Sequence, residues 1–489
     1  MLTKPFSRRS YLARLMAGVS RHSSKEEGLN EEERKVPKEP PEHVKLLDLV
    51  DRYLVDLECI REMHSSVLPV LKKQDKERTQ AVSEIVKNLR EVYPETDVVS
   101  QDKSSDGSEK DSNGDEGKRV AISGPEAENL ISHIRKIKRT EQLFTKQSIV
   151  SLVSRYDEYF GSLLSITLEK NPAWLKSSDK TITYKELIEL RSVDSAVRGV
   201  ISKEVDRLLR GSHEEQVDYL DERLKLGIRD SFKCLDRFLE VAERRNLFVH
   251  TGGEVSQQYV DRCRAFGFKG EIESVGEMLD VSEDYFEDAF TVFFELGLRV
   301  GQASFRRLFP EKSTVADRAL NKLAVKFLNY GDNSLVEVIT SFDLAIPEKL
   351  RSEDPEFAYF ARVNRAIAQK RLEKDFEKGL EGVHWSVFHP KYGLCLHVLR
   401  DEFDDAAKLM GSQEIVDAIG IEGFRTWPVF REFRATPQFK ERYKAVFGED
   451  YVPDPERDAP AIAMQEEVLE DKRDQQEDEI AEGTGGKDG

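Results

Sequence analysis

A chain of 489 residues exceeds one ordinary domain, so two or three folded units are expected. Charged residues make up 34% and the mean hydropathy is -0.56, the profile of a soluble, surface-rich and helical protein. A net charge of -18 argues against a chain coated in nucleic-acid-binding surface, because phosphate contacts need Lys and Arg. Any nucleic-acid site therefore has to be local. No uninterrupted apolar run approaches the roughly 20 residues that cross a bilayer, so no membrane contact is expected. Cys59, Cys234, Cys263 and Cys395 stand far apart with no CxxC pair, which favours reduced thiols and a cytoplasmic location over a disulfide or zinc framework.

The first stretch, MLTKPFSRRSYLARLMAGVSRHSSK, carries Lys and Arg with no Asp or Glu. It is compatible with a transit peptide, but residues 1–42 are read as a disordered basic tail. Over 43–93, apolar residues return at helical spacing in Leu46, Leu47, Val50, Leu54 and Leu57, and again in Ile85 and Leu89, which predicts a long amphipathic helix or a helical hairpin. Residues 94–125 are rich in Ser, Gly, Asp and Lys and form a flexible linker unable to bury a core. At the other end, 453–489 is an acidic, then Gly-rich, disordered tail.

Between linker and tail the apolar residues repeat at the helical period with no convincing strand alternation, so the fold class is all-α. One helix is marked by Ile149, Val153, Tyr156, Phe160 and Leu163 and stops near Asn171-Pro172, since proline ends helices. A second is marked by Leu224, Ile228, Phe232, Leu235, Leu239 and Ala242. Four residues further along that stripe lies Asn246, inside RRNLFVHTGG. At about 100° per residue, Arg245 and His250 fall on either flank of the stripe, so three hydrogen-bonding side chains border an otherwise apolar surface. Buried polar groups are costly unless paired or used, which makes the interruption a candidate site. Thr251-Gly252-Gly253 supplies a glycine-rich helix exit. A plainer reading remains open, in which His250 caps the helix, Arg245 is a solvated charge and Asn246 forms a turn.

The segment ERRNLFVHTGGEVSQQYV, together with the helix bearing Tyr156 and Phe160 and the long helix before Arg245, resembles the HEPN superfamily over about Pro125 to Asp280. In that superfamily Arg, a polar residue and His end a helix of a small all-α bundle. The resemblance implies a HEPN-like bundle over 126–280 and a metal-independent endoribonuclease without cofactor. It also implies a homodimer with two motifs facing one RNA cleft, in a toxin or antiviral-defence setting. Carried over residue by residue, the catalytic set is Arg245, Asn246 and His250. The chemistry suits these types. RNA cleavage by the 2′-hydroxyl needs a group that moves protons near neutral pH and a cation for the phosphorane, roles for histidine and arginine respectively. Asn246 lies four residues before His250 and could hold the imidazole or contact the phosphate. One histidine cannot easily be base and acid at once, which is why a symmetric dimer would help. The sequence departs from the pattern at Gly252, where some HEPN toxins carry a modifiable tyrosine. An upstream acid is also ambiguous among Asp236, Glu240 and Glu243. The basic cluster HIRKIKR, His133 to Arg139, is either an RNA-backbone contact or a solvated helix face.

Over 281–452 the helices look paired. NRAIAQKRLEKDFEKGL, CLHVLRDEFDDAAKLM and LAVKFLNYGDNSLVEVI resemble tetratricopeptide-type hairpins, with irregular spacing in place of the usual period of about 34 residues. Such arrays form curved surfaces, so a protein partner is expected there, and it could control the ribonuclease. The alternative function is a non-catalytic HEPN dimerisation and repeat-scaffold protein. DSNGDEGKRVAI imitates a calcium loop but has Glu116 and Ile122 at positions that need glycine and a bidentate acid. His384, His389 and His397 lack a ligand spacing. P-loop, dinucleotide, HExxH and nucleophile-elbow motifs are absent.

Overall fold

The computed structural model describes residues 40–92, 125–175, 192–383, 385, 389–455 and 457–458. Most of the basic N-terminal segment, the linker and the acidic tail lie outside the described residues, as does the calcium-like stretch from Asp111. Among the described residues the protein is all-α; the only β pairing there is one antiparallel bridge between Glu254 and Met278.

The first segment is a single helix, α1 (Glu42–Val92), that continues through Pro69. Leu46, Leu49, Val50, Tyr53, Leu54, Leu57 and Ile60 are buried along it at steps of three or four, as an amphipathic helix requires. The side chains of Ile85 and Leu89 lie outside the described residues. Helix α2 (Pro125–Lys170) begins on a proline, whose missing N–H costs nothing in the first turn, and stops before Asn171-Pro172. Its expected stripe of Ile149, Val153, Tyr156, Phe160 and Leu163 is fully buried.

The residues from Leu224 to Ala242 do not form one helix. Leu224 follows α4 (His213–Glu222), itself preceded by α3 (Val193–Arg210). Gly227 then takes a left-handed φ of 67°, Ile228–Ser231 makes a single turn, and Phe232 is extended. Only then does α5 (Leu235–His250) begin. Leu224, Ile228 and Phe232 are nonetheless buried, because burial depends on where a side chain ends and not on an unbroken helix. Helix α6 (Gln257–Ala265) follows the glycine exit.

Helix α7 (Glu283–Leu308) packs along α2 and α5 and is buried on nearly all sides. Gly297 makes this possible. A Cβ there would stand 2.0 Å from the Tyr53 ring, so only glycine admits α1 at this distance. Tyr53 stacks on Tyr159 at 4.2 Å. The Tyr53 hydroxyl donates to the carbonyl of Phe293, and that of Tyr159 to the carbonyl of Gly297, each at 2.9 Å.

Beyond α7, α8 (Ser313–Tyr330) and α9 (Asn333–Ala345) form a hairpin, and α10 (Glu356–Arg371) packs on both. A second hairpin joins α11 (Lys391–Leu399) to α12 (Phe403–Met410). The segment from Asn364 to Leu380 is not a hairpin; its helix ends at Arg371 and only a short 3-10 turn follows. One buried apolar cluster includes Leu46, Tyr156, Phe293, Phe327 and Tyr443, and so runs without interruption past residue 280.

Candidate functional site

Two consecutive arginines of α5 have different surroundings. Arg244 is buried and its Nε donates to Glu240 at 2.7 Å, while Nη2 reaches Glu273 at 3.0 Å. Glu240 is completely buried and accepts from four donors: Arg244, Arg237 at 3.0 Å, the Tyr259 hydroxyl at 2.8 Å and the Tyr285 hydroxyl at 2.9 Å. Two donors per oxygen satisfy a carboxylate that would otherwise be very costly to bury. Burial works against the Arg244 charge, but Tyr285 and Glu240 beside it hold the guanidinium above its ordinary range. Burial first, and then the Glu240 charge, raises the Tyr285 phenol. This cluster ties α5 to α6 and α7.

Arg245, one residue on, turns to α2. Its Nη2 forms an ion pair with Oδ2 of Asp157, and its Nη1 donates to Oδ1 of Asn246 at 3.3 Å. The other oxygen of Asp157 meets Nε2 of His213 at 3.0 Å. Asp157 thus bridges an arginine and a histidine brought from two other helices. His213 is placed there by the chain reversal between α3 and α4. Ser212 caps α4, accepting from the Glu215 amide at 3.1 Å while the Glu215 carboxylate accepts from the Ser212 amide at 3.3 Å. The His213 ring then rests 6.0 Å from that of Tyr156 and 5.7 Å from that of Phe238.

A cavity of about 530 Å³ opens between these elements, and Asp157, His213, Arg245, Asn246 and His250 all line it. The three residues expected from sequence are therefore together. Oδ1 of Asn246 accepts from Arg245, and no hydrogen bond reaches the exposed His250 imidazole among the described residues. His250 is the last residue of α5, and Lys146 of α2 secures the exit by donating to the Gly252 carbonyl at 3.0 Å. Arg210, Arg245 and Arg262 set three guanidinium charges on the wall against the carboxylates of Asp157 and Glu243. The wall is locally cationic in a chain of net charge -18.

The acid beside Arg245 is none of the three that the sequence offered. Asp236 accepts from the Lys269 amide, Glu240 is sealed in the buried cluster, and Glu243 pairs with Arg262 at 2.5 Å at the cavity edge. Asp157 and His213 were missed. The available signal was that Asp157 adjoins the buried Tyr156 inside an apolar stripe, and that His213 follows a Gly-Ser helix start. Neither signal names a partner, which for Asp157 is Arg245, 88 residues away, and for His213 is Asp157, 56 residues away. Of the basic cluster, Lys136 and Arg139 are exposed on α2; His133, Arg135 and Lys138 lie outside the described side chains. His384 lies outside the described residues, while His397 bonds Glu402 at 2.6 Å and His389 stands 3.9 Å from Glu414. No group of three or more His, Cys, Asp or Glu side chains among the described residues is arranged to hold a metal, and no helix there is long and apolar enough to cross a membrane. No known family model, curated protein or solved structure matches the chain.

Proposed function

We propose that this protein is a metal-independent endoribonuclease of the HEPN type, a toxin or defence effector, whose C-terminal helices engage a protein partner that controls it. The observation that carries the reading is the cationic cavity lined by Arg245, Asn246 and His250, with Asp157 anchoring the arginine. The ion pair orients the guanidinium before substrate arrives, and each terminal nitrogen still has a second N–H for a phosphate oxygen. Arg245 would stabilise the charge of the phosphorane. The imidazole of His250, exposed and unengaged among the described residues, would transfer a proton. A symmetric dimer would place two such cavities against one RNA.

Purified protein incubated with single-stranded, duplex and transfer RNA in EDTA tests this. His250→Ala should lose on the order of 10²–10⁴-fold in rate with an unchanged circular-dichroism spectrum, and Arg245→Ala should also lose activity. A folded wild type inert on every substrate would leave the scaffold reading, in which the helical surface alone is the working part.

A further inference from the structure

We infer that His213 is the second proton-transfer group of this cavity, so that one chain supplies both base and acid. This rests on the ribonuclease reading above. Attack by a 2′-hydroxyl requires one proton to be removed and another delivered to the leaving oxygen, and a second histidine of the same chain lines the cavity that holds His250. The capping box of α4 fixes where His213 starts, and the Tyr156 and Phe238 rings fix its plane. Its Nε2 is bonded to Asp157, no hydrogen bond reaches its Nδ1 among the described residues, and the side chain, 10% exposed, lines the cavity. Asp157 of α2 bonds it directly and Arg245 of α5 acts through Asp157, and the other charged or titratable groups of the same cavity are Arg210 of α3, Glu243 and His250 of α5, and Tyr259 and Arg262 of α6. A carboxylate behind an imidazole fixes its orientation and stabilises the imidazolium formed when the ring takes a proton.

The step balances within the chain. Nδ1 of His213 takes the 2′-hydroxyl proton, the O2′–P bond forms, the P–O5′ bond breaks, and protonated His250 gives its proton to O5′. The products are a 2′,3′-cyclic phosphate and a 5′-hydroxyl, with no water or other reactant consumed, and proton exchange with solvent resets the two rings. Asp157 is a positioning residue here, since it holds the base and the phosphate-binding arginine in one frame.

The test is the pH–rate profile of RNA cleavage in EDTA for the wild type, His213→Asn and His250→Ala. His213→Asn should fall on the order of 10²–10⁴-fold and lose the acidic limb; His250→Ala should lose the alkaline limb. Mixing the two variants should restore nothing, because each cavity is complete in its own chain; recovery on mixing would place the two histidines in different chains and overturn the inference. As a check that does not depend on the variants folding, the imidazole ¹⁵N shifts of wild-type His213 and His250 should both move on adding a 3′-nucleoside monophosphate. Movement of His250 alone refutes the assignment. A wild type that cleaves RNA while His213→Asn keeps its rate and acidic limb defeats this inference only, whereas a wild type inert on all RNA defeats the ribonuclease reading and this inference with it.

Discussion

Replacing Arg244 or Arg245 by alanine separates what holds α5 from what the cavity uses. The Arg244 side chain is 6% exposed and its partner Glu240 is 0% exposed. Arg244→Ala leaves a buried carboxylate with Arg237 and two phenols in place of two guanidinium groups and two phenols, and removes the cation stacked 4.3 Å from the Tyr285 ring centre. Breaking a buried pair by deleting one partner costs about 3–5 kcal/mol. The Arg245–Asp157 pair is 20% and 25% exposed, and after Arg245→Ala the carboxylate keeps His213 and water. That loss should be about 1 kcal/mol. Urea unfolding followed by circular dichroism reads both values. Arg244→Ala should lower the midpoint sharply yet cleave RNA wherever it remains folded, while Arg245→Ala should do the reverse. Equal destabilisation by the two substitutions, or a loss under 1 kcal/mol for Arg244→Ala, would refute the assignment of the two arginines to separate jobs.

Gly297→Ala should destabilise by about 1–3 kcal/mol, although alanine is the better helix former by about 1 kcal/mol, because its Cβ displaces the Tyr53 ring and breaks the bond to the Phe293 carbonyl; a melting temperature at or above that of the wild type would contradict the packing. Burial raises the Asp343 carboxyl to about 6 against the opposing pull of Arg351. The folded state therefore holds this proton more tightly than the unfolded chain, so the contribution is complete below about pH 4 and is lost as pH rises through about 6. Denaturation of wild type and Asp343→Asn from pH 4 to 7 should show a difference on the order of 2–3 kcal/mol accumulating in that window; parallel curves would remove Asp343 as its source. Burial pushes the Cys263 and Cys395 thiols up to about 12, whereas Cys59 is exposed. Native protein treated with a thiol reagent at pH 8 should label Cys59 first, and labelling of Cys263 or Cys395 at the same rate would show that those sites open.

Much of the helical framework was legible because one side of each helix must be apolar. The stripes through Leu46 and Leu57, and through Ile149 and Leu163, appear in the sequence as they are buried in the structure. The stripe from Leu224 to Ala242 misled because its steps of three and four persist across Gly227, where the backbone reverses hand. Periodicity records which residues are buried, and continuity of the helix is a separate matter. For the site, Arg245, Asn246 and His250 were legible because they share one helix end, where spacing alone sets the geometry. Asp157 and His213 were not, because their proximity depends on how α2, α4 and α5 pack. The same holds for Arg244 and Glu240, one turn apart on α5, which are told from Arg245 and Glu243 by partners on other elements, among them the hydroxyls of Tyr259 and Tyr285.

End-group analysis of RNA cut by the purified protein in EDTA tests the central claim most directly. Cleavage should leave 2′,3′-cyclic phosphate and 5′-hydroxyl ends and should vanish with His250→Ala in a protein of unchanged fold. Ends bearing a 5′-phosphate, or the same ends at the same rate from His250→Ala, would contradict the account.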